Sequence, residues 1–177
     1  MKKIVALVFL ALVIVSCDKQ KTGFVNTEKI VKDYTEMTEA QSKYTKLNQD
    51  MMGDLESKAQ SYQMKIDEYQ KSGSSMSSSE REKKEQELIG ERQQLQQEQQ
   101  MRSRQLQQES QSAIDTIIKK VKDHVSDYGK KNGYDYIYGQ NDAGSILYGK
   151  EENDLTDEVL KELNDAYKPV TDTTATK

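Results

Sequence analysis

The sequence predicts an α+β chain, mostly helical, in which a long antiparallel helical hairpin, a coiled-coil-like arm, projects from a small β-sheet body. Three observations predict it. Two proline-free runs, Thr27 to about Lys71 and Ser79 to about Tyr128, flank a serine-rich break at Ser72–Ser78. At about 1.5 Å of rise per residue they make rods of roughly 65 and 75 Å, too long for globular helices. Alternating Tyr134, Tyr136 and Tyr138 then read as a strand, and Gly23–Asn26 as a shorter one.

The N-terminus comes first in chain order. Met1-Lys2-Lys3 is a positive start, and Ile4–Val15 is an apolar run of 12 residues, ended by Ile14-Val15-Ser16-Cys17. That run is too short for a permanent membrane span and fits a signal peptide over residues 1–16. The ending looks like a bacterial lipobox, with cleavage before Cys17 and lipidation of its thiol and new amine. An ordinary secretory leader is the plainer alternative. Cys17 is the only cysteine, so no disulfide within the chain can use it. Multiple acyl chains at Cys17 would hold the mature protein to a membrane, with residues 17–22 as tether.

Composition narrows the classes further. Loss of Lys2 and Lys3 with the leader leaves 24 basic against 30 acidic residues, so nucleic acid is not an expected partner. An apolar fraction of 34% in 177 residues is thin for a monomeric globule. An elongated helical protein that completes its core by self-association fits better.

In the first rod one apolar stripe runs Ile30, Tyr34, Met37, Ala40, Tyr44, Leu47, Met51, Leu55, Ala59, Tyr62, Ile66, Tyr69 at steps of three or four. Thr27 is an acceptable N-cap there, and Ser79 with Glu82 fits a capping box for the second rod. From Gln93 to Gln111, ten of 19 residues are glutamine. The eleven-residue step from Leu95 to Leu106 is a stutter, and the inward side of that stretch must include Gln99 or Arg102. The pattern recovers at Ile114, Ile117, Ile118, Val121 and Val125. A hairpin packed at its base and loose further out is expected, with Gly53 and Gly90 as candidate hinges.

Gly129-Lys130-Lys131-Asn132-Gly133 carries C-terminal helix signals. After the tyrosine strand, Gln140–Gly144 reads as a turn and Ser145–Tyr148 as the returning strand, giving three strands in one sheet. Thr156 is the expected cap of a last helix to about Ala166, with Leu155 and Leu160 as its staple. Pro169 ends the ordered part, so 169–177 reads as a disordered tail. The domain expected is 23–168, with a body of 23–30 and 113–168 and an arm of 31–112.

Those residues carry a resemblance. Gly133-Tyr134-Asp135-Tyr136-Ile137, Ile146-Leu147-Tyr148 and Asp154-Leu155-Thr156-Asp157-Glu158-Val159-Leu160-Lys161-Glu162-Leu163-Asn164 resemble the ending of the Skp/OmpH family of periplasmic chaperones. Gly23-Phe24-Val25-Asn26 resembles its first strand. The resemblance implies a homotrimer whose hairpins enclose unfolded outer-membrane proteins without ATP, in the periplasm of a Gram-negative bacterium. The chain departs from the family's best-known member in being acidic and in its lipobox, and no lipid-binding residues carry over.

No enzyme motif is present and no cofactor is expected. His124, the only histidine, reads as an ordinary flanking position on the rod, and the carboxylates lie scattered on solvated helix faces. Tyr44, Met51, Tyr62 and Tyr69 are candidate client-contact residues, because adaptable thioethers and amphipathic rings suit varied surfaces. Their plainer role is seam packing. A structural envelope lipoprotein bridging membrane and cell wall is the alternative function, since a lipidated Cys17, a long rod and a final Lys177 also resemble the murein lipoprotein.

Overall fold

The computed structural model describes residues 20–169. The signal peptide, Cys17 and the tail from Val170 onward lie outside the described residues. The order is β1 (Thr22–Asn26), α1 (Thr27–Asp33), α2 (Thr35–Ser72), a 3₁₀ turn at Gly73–Ser75, α3 (Ser78–Asn132), β2 (Tyr136–Gln140), a 3₁₀ turn at Glu151–Asn153 and α4 (Thr156–Ala166). They fall into two compact units, residues 20–31 with 121–166 and residues 32–120 with 167–169.

In the first unit, β1 and β2 pair in parallel, Thr22 against Tyr136 through Asn26 against Gln140. Parallel strands need a long crossover, and everything from α1 to the end of α3 supplies it. The expected third strand is absent. Residues 145–148 are irregular, with Leu147 93% and Tyr148 83% exposed. The chain turns at Gly144 (φ +86) and passes over the Phe24 ring at Gly149, where a Cβ would lie 2.3 Å from the ring. It then meets the other edge of β1 through a single bridge, Phe24 to Asp154, with Leu155 N–H donating to the Phe24 carbonyl at 2.8 Å. Glycine is what lets the loop cross so close to the ring.

The core of this unit is Phe24, Val25, Ile30, Tyr128, Leu155, Val159 and Leu163. Leu155, Val159 and Leu163 recur every four residues, one stripe of α4. Leu160, expected in the staple, is half-buried.

Several caps differ from those expected. Asn26, not Thr27, caps α1: its Oδ1 accepts the Lys29 N–H at 2.9 Å, which frees the Thr27 hydroxyl to donate to the Gln140 carbonyl. Ser77 and Glu80, not Ser79 and Glu82, form the capping box, the Glu80 carboxylate taking the Ser77 N–H at 2.9 Å. The serine run offers several registers, and the helix takes the one that starts earliest.

α3 ends four residues beyond Tyr128. Gly133 (φ +69) and a 2.9 Å bond from the Tyr134 N–H to the Gly129 carbonyl make a Schellman closure. Gly129 is instead buried within the helix, 3.3 Å from Ile137 for a built Cβ.

Thr156 does not cap its own helix. Asp154 accepts both the Thr156 N–H and its hydroxyl, and the Thr156 Oγ1 accepts the Asn26 N–H at 2.8 Å. Thr156 is 2% exposed, so this hydroxyl latches the end of β1 to the start of α4. Thr156→Val keeps the shape but strands the Asn26 N–H. We expect a loss of about 1–3 kcal/mol in chemical denaturation, whereas Thr156→Ser retains stability to within about 1 kcal/mol.

In the second unit the first rod is interrupted. Tyr34 is extended (φ −72, ψ 119), and α2 restarts with the Thr38 N–H on the Tyr34 carbonyl at 3.1 Å. Its ring is buried, edge-on to Tyr167 at 6.2 Å, with its hydroxyl donating to Glu36 at 2.7 Å. Seating that ring is what one extended residue achieves.

α2 and α3 run antiparallel on one register. As the α2 partner advances through Glu36, Asp54, Lys58, Lys65 and Tyr69, the α3 partner retreats through Lys120, Arg102, Glu98, Glu91 and Glu85. The hairpin reading therefore holds, with its tip at Gly73–Ser75.

Candidate functional site

Along the arm, the looseness lies elsewhere than the glutamine run suggests. Met51, Leu55 and Leu88 are buried. From Leu55 outward Lys58 reaches Glu98 at 2.5 Å, Lys65 reaches Glu91 at 2.6 Å, and Tyr69 donates to Glu85 at 2.5 Å. These pairs knit the outer arm. The half-buried inward residue of the stutter is Arg102, paired with Asp54 and with Glu98 at 3.2 Å, while Gln99 stays exposed.

Space opens between α2 and α3 instead at residues 36–51 and 103–117. Small Ala40, Ser110 and Ala113 stand here where larger side chains would fill the seam. Tyr44 stands between two troughs that result. The wider, about 1150 Å³, is lined by Ala40, Tyr44, Leu47, Ala113, Ile117 and Tyr167 among others. Charged groups rim it: Glu36 pairs with Lys120, Glu39 accepts the Tyr167 hydroxyl at 2.8 Å, and the Lys43 ammonium lies 5.8 Å from the Tyr44 ring.

The narrower trough, about 420 Å³, is of different chemistry. Amides of Gln41, Asn48 and Gln107 and hydroxyls of Thr45, Ser103 and Ser110 line it. Its apolar part is Tyr44, Met51, Leu106 and Ile114.

The four candidate contact residues share the inward stripe but not one environment. Tyr44 borders both troughs. Met51 is 6% exposed and packs into the seam. Tyr62 is half-buried, and Tyr69 is half-buried with its hydroxyl engaged by Glu85. The stripe itself breaks at Leu47 and Ala59, which are exposed. Accessible apolar groups that the sequence pattern did not single out are Met52, Met64, Ile89 and Met101. Their positions off the stripe are the signal that could have found them.

Gly53 and Gly90 lie inside uninterrupted helix with nothing within 4 Å of a built Cβ, so neither marks a hinge by conformation or close approach. His124 is half-buried in the first unit, its Nε2 3.4 Å from the Glu162 carboxylate. No cluster of three metal-ligating side chains occurs among the described residues, and no described helix is long and apolar enough to cross a membrane.

The carboxylates of the arm are electrostatically poised. Burial pushes the Glu36 carboxyl up, but hydrogen bonds from Lys120 and Tyr34 outweigh it and hold the group below the ordinary carboxylate range. Arg102 does the same to Asp54, and Lys58 to Glu98. Tyr167 is pushed up to about 12 by its bond to Glu39.

A carboxylate depressed in the folded state stabilises it above the unfolded value, and that contribution disappears as pH falls through the folded one. The thermal midpoint followed by helical circular dichroism is therefore level near neutrality and falls below about pH 4. A midpoint that rises on acidification contradicts the arrangement. Asp54→Asn with Glu98→Gln should flatten the fall.

Long paired helices with a two-stranded parallel sheet define the class: a helical-arm α+β protein whose arm opens into troughs. Residues 21–163 match the family described as Outer membrane protein (OmpH-like), and the chain belongs to that family. It is 26% identical over 151 residues to the chaperone protein Skp of Yersinia enterocolitica, covering 84% of this chain and 88% of that protein. A Caulobacter crescentus crystal structure described as OmpH-like overlays with a TM-score of 0.77 at 11% identity, over 88% of this chain and 90% of that one. That likeness establishes the shared fold.

Proposed function

We propose that this protein is an ATP-independent periplasmic holdase that encloses unfolded outer-membrane proteins between helical arms and prevents their aggregation. The observation that carries this reading is the pair of troughs between α2 and α3 around Tyr44, which present apolar and hydrogen-bonding groups on a long arm. Family membership and the chaperone named among its relatives support it.

In this reading three chains assemble through their bodies. Many weak contacts on three arms then hold a client while leaving it dynamic, because linked sites raise effective concentration without tight individual contacts. Cleavage after residue 16 and lipidation of Cys17 would tether the assembly to a membrane.

The arm residues 32–120 carry 14 basic and 16 acidic groups, so the grip is near electroneutral and client binding should depend weakly on salt. The test is light scattering of an unfolded outer-membrane barrel protein diluted from denaturant with and without stoichiometric trimer. Suppression at both low and high salt is expected. Unchanged aggregation would remove the holdase reading.

A further inference from the structure

The narrow trough beside Tyr44 has a composition that the rest of the chain does not prepare for. Charged residues make up 32% of the sequence, yet none of the ten residues lining this trough is charged. Three of them carry primary amides, Gln41, Asn48 and Gln107, all exposed, and none of the three side-chain amides has a hydrogen-bond partner among the described residues. The Ser110 hydroxyl likewise has none there. The trough runs along α2 from Gln41 to Met51, about 15 Å at the helical rise, the length of four or five residues of extended chain at about 3.3 Å each.

From this we infer that the trough binds the backbone of an extended polypeptide segment, its peptide N–H and C=O groups paired by the amides of Gln41, Asn48 and Gln107. The proposal rests on the holdase reading and specifies what the arm recognises. An uncharged trough complements an uncharged partner, and the one uncharged feature common to every unfolded chain is its row of unpaired peptide groups. A primary amide offers both donors and an acceptor, so three of them can meet a strand in either direction without reading its side chains.

Tyr44, Leu106 and Ile114 supply an apolar wall for whichever side chains face inward. A barrel protein before insertion is rich in such segments, because its strands satisfy their backbone groups only on closure. Within the glutamine run of α3, the same chemistry gives Gln107 a purpose beyond that of a solvated face.

The decisive variant is Gln41→Leu with Gln107→Leu in the full-length chain. Leucine is as good a helix former as glutamine, so the arm persists, which circular dichroism checks. The probe is a ten-residue synthetic strand of an outer-membrane barrel, compared with the same peptide N-methylated at alternate residues, binding being read by fluorescence anisotropy. If the trough pairs backbone, the double variant binds the unmodified peptide about tenfold more weakly despite its added apolar surface, and N-methylation weakens binding to the unmodified protein similarly.

A grip made by apolar side chains alone predicts tighter or equal binding by the variant and indifference to methylation, and that result overturns the inference. Aggregation assays of the same proteins separate the two levels. Full suppression of barrel aggregation with no loss in the variant overturns backbone pairing and leaves the holdase standing. No suppression by the unmodified protein overturns both.

Discussion

Phe24→Ala should lower the stability of the sheet unit by about 3–5 kcal/mol, the cost of deleting a buried aromatic side chain. The ring is 8% exposed and lies under the backbone of Gly149. Its own main chain holds β2 on one side and Asp154–Leu155 on the other. Three segments distant in sequence therefore meet on one residue. Losing the ring leaves a void that the loop over it cannot fill without giving up the turn at Gly144 and the bridge at Asp154.

A domain's whole stability is about 5–15 kcal/mol, so this one change should consume much of it. Urea denaturation followed by tyrosine fluorescence measures it directly, and a shift below about 1 kcal/mol would contradict the packing described. Gly149→Ala approaches the same contact from the other side. Its Cβ would lie 2.3 Å from the ring, and relief by backbone shift should cost about 1–3 kcal/mol.

The long helices were legible because nothing local competes with them. Neither rod contains proline, their apolar spacing is helical over dozens of residues, and the serine break is unambiguous. The stutter requires Gln99 or Arg102 on the inward side, and Arg102 takes that place.

What was not legible depended on contacts between distant segments. Ser145–Tyr148 has strand-forming residues and is expected to return along β2, but that edge of β2 stays unpaired among the described residues. The chain instead crosses the Phe24 ring at Gly149 to bridge β1 at Asp154. Thr156 has the chemistry of a cap, yet its hydroxyl serves Asn26, 130 positions away in the chain. Tyr34 fits the helical stripe perfectly well by spacing, but Tyr167 from the far end of the sequence holds its ring outside continuous helix.

The candidate site was half visible. The glutamine run overlaps the open stretch of the seam only from Ser103 to Gln111, and the uncharged trough needed α2 to bring Gln41 and Asn48 opposite Gln107.

Tyr136→Lys with Tyr138→Lys should abolish assembly and with it nearly all chaperone activity. The two rings stand on one face of β2, two residues apart, stacked at 5.9 Å and about half exposed. Among the described residues β2 is paired along one edge only, and the chain that follows it exposes Leu147 and Tyr148 almost fully. A free strand edge flanked by exposed aromatics is a docking surface that a lone chain leaves uncovered. In the proposed trimer it is covered by sister copies.

Because both rings are outside the core of their own chain, lysines there should change the stability of a single chain by no more than about 0.5 kcal/mol. Three pairs of like charges brought together in the body would still oppose association. Light scattering should show the mass fall from three chains to one, with the helical circular dichroism signal kept. If enclosure depends on three arms acting together, loss of linkage should weaken client binding by about 10²–10⁴-fold. A variant that stays trimeric, or one that becomes monomeric yet suppresses aggregation as before, would show that the arms do not work through assembly at this surface.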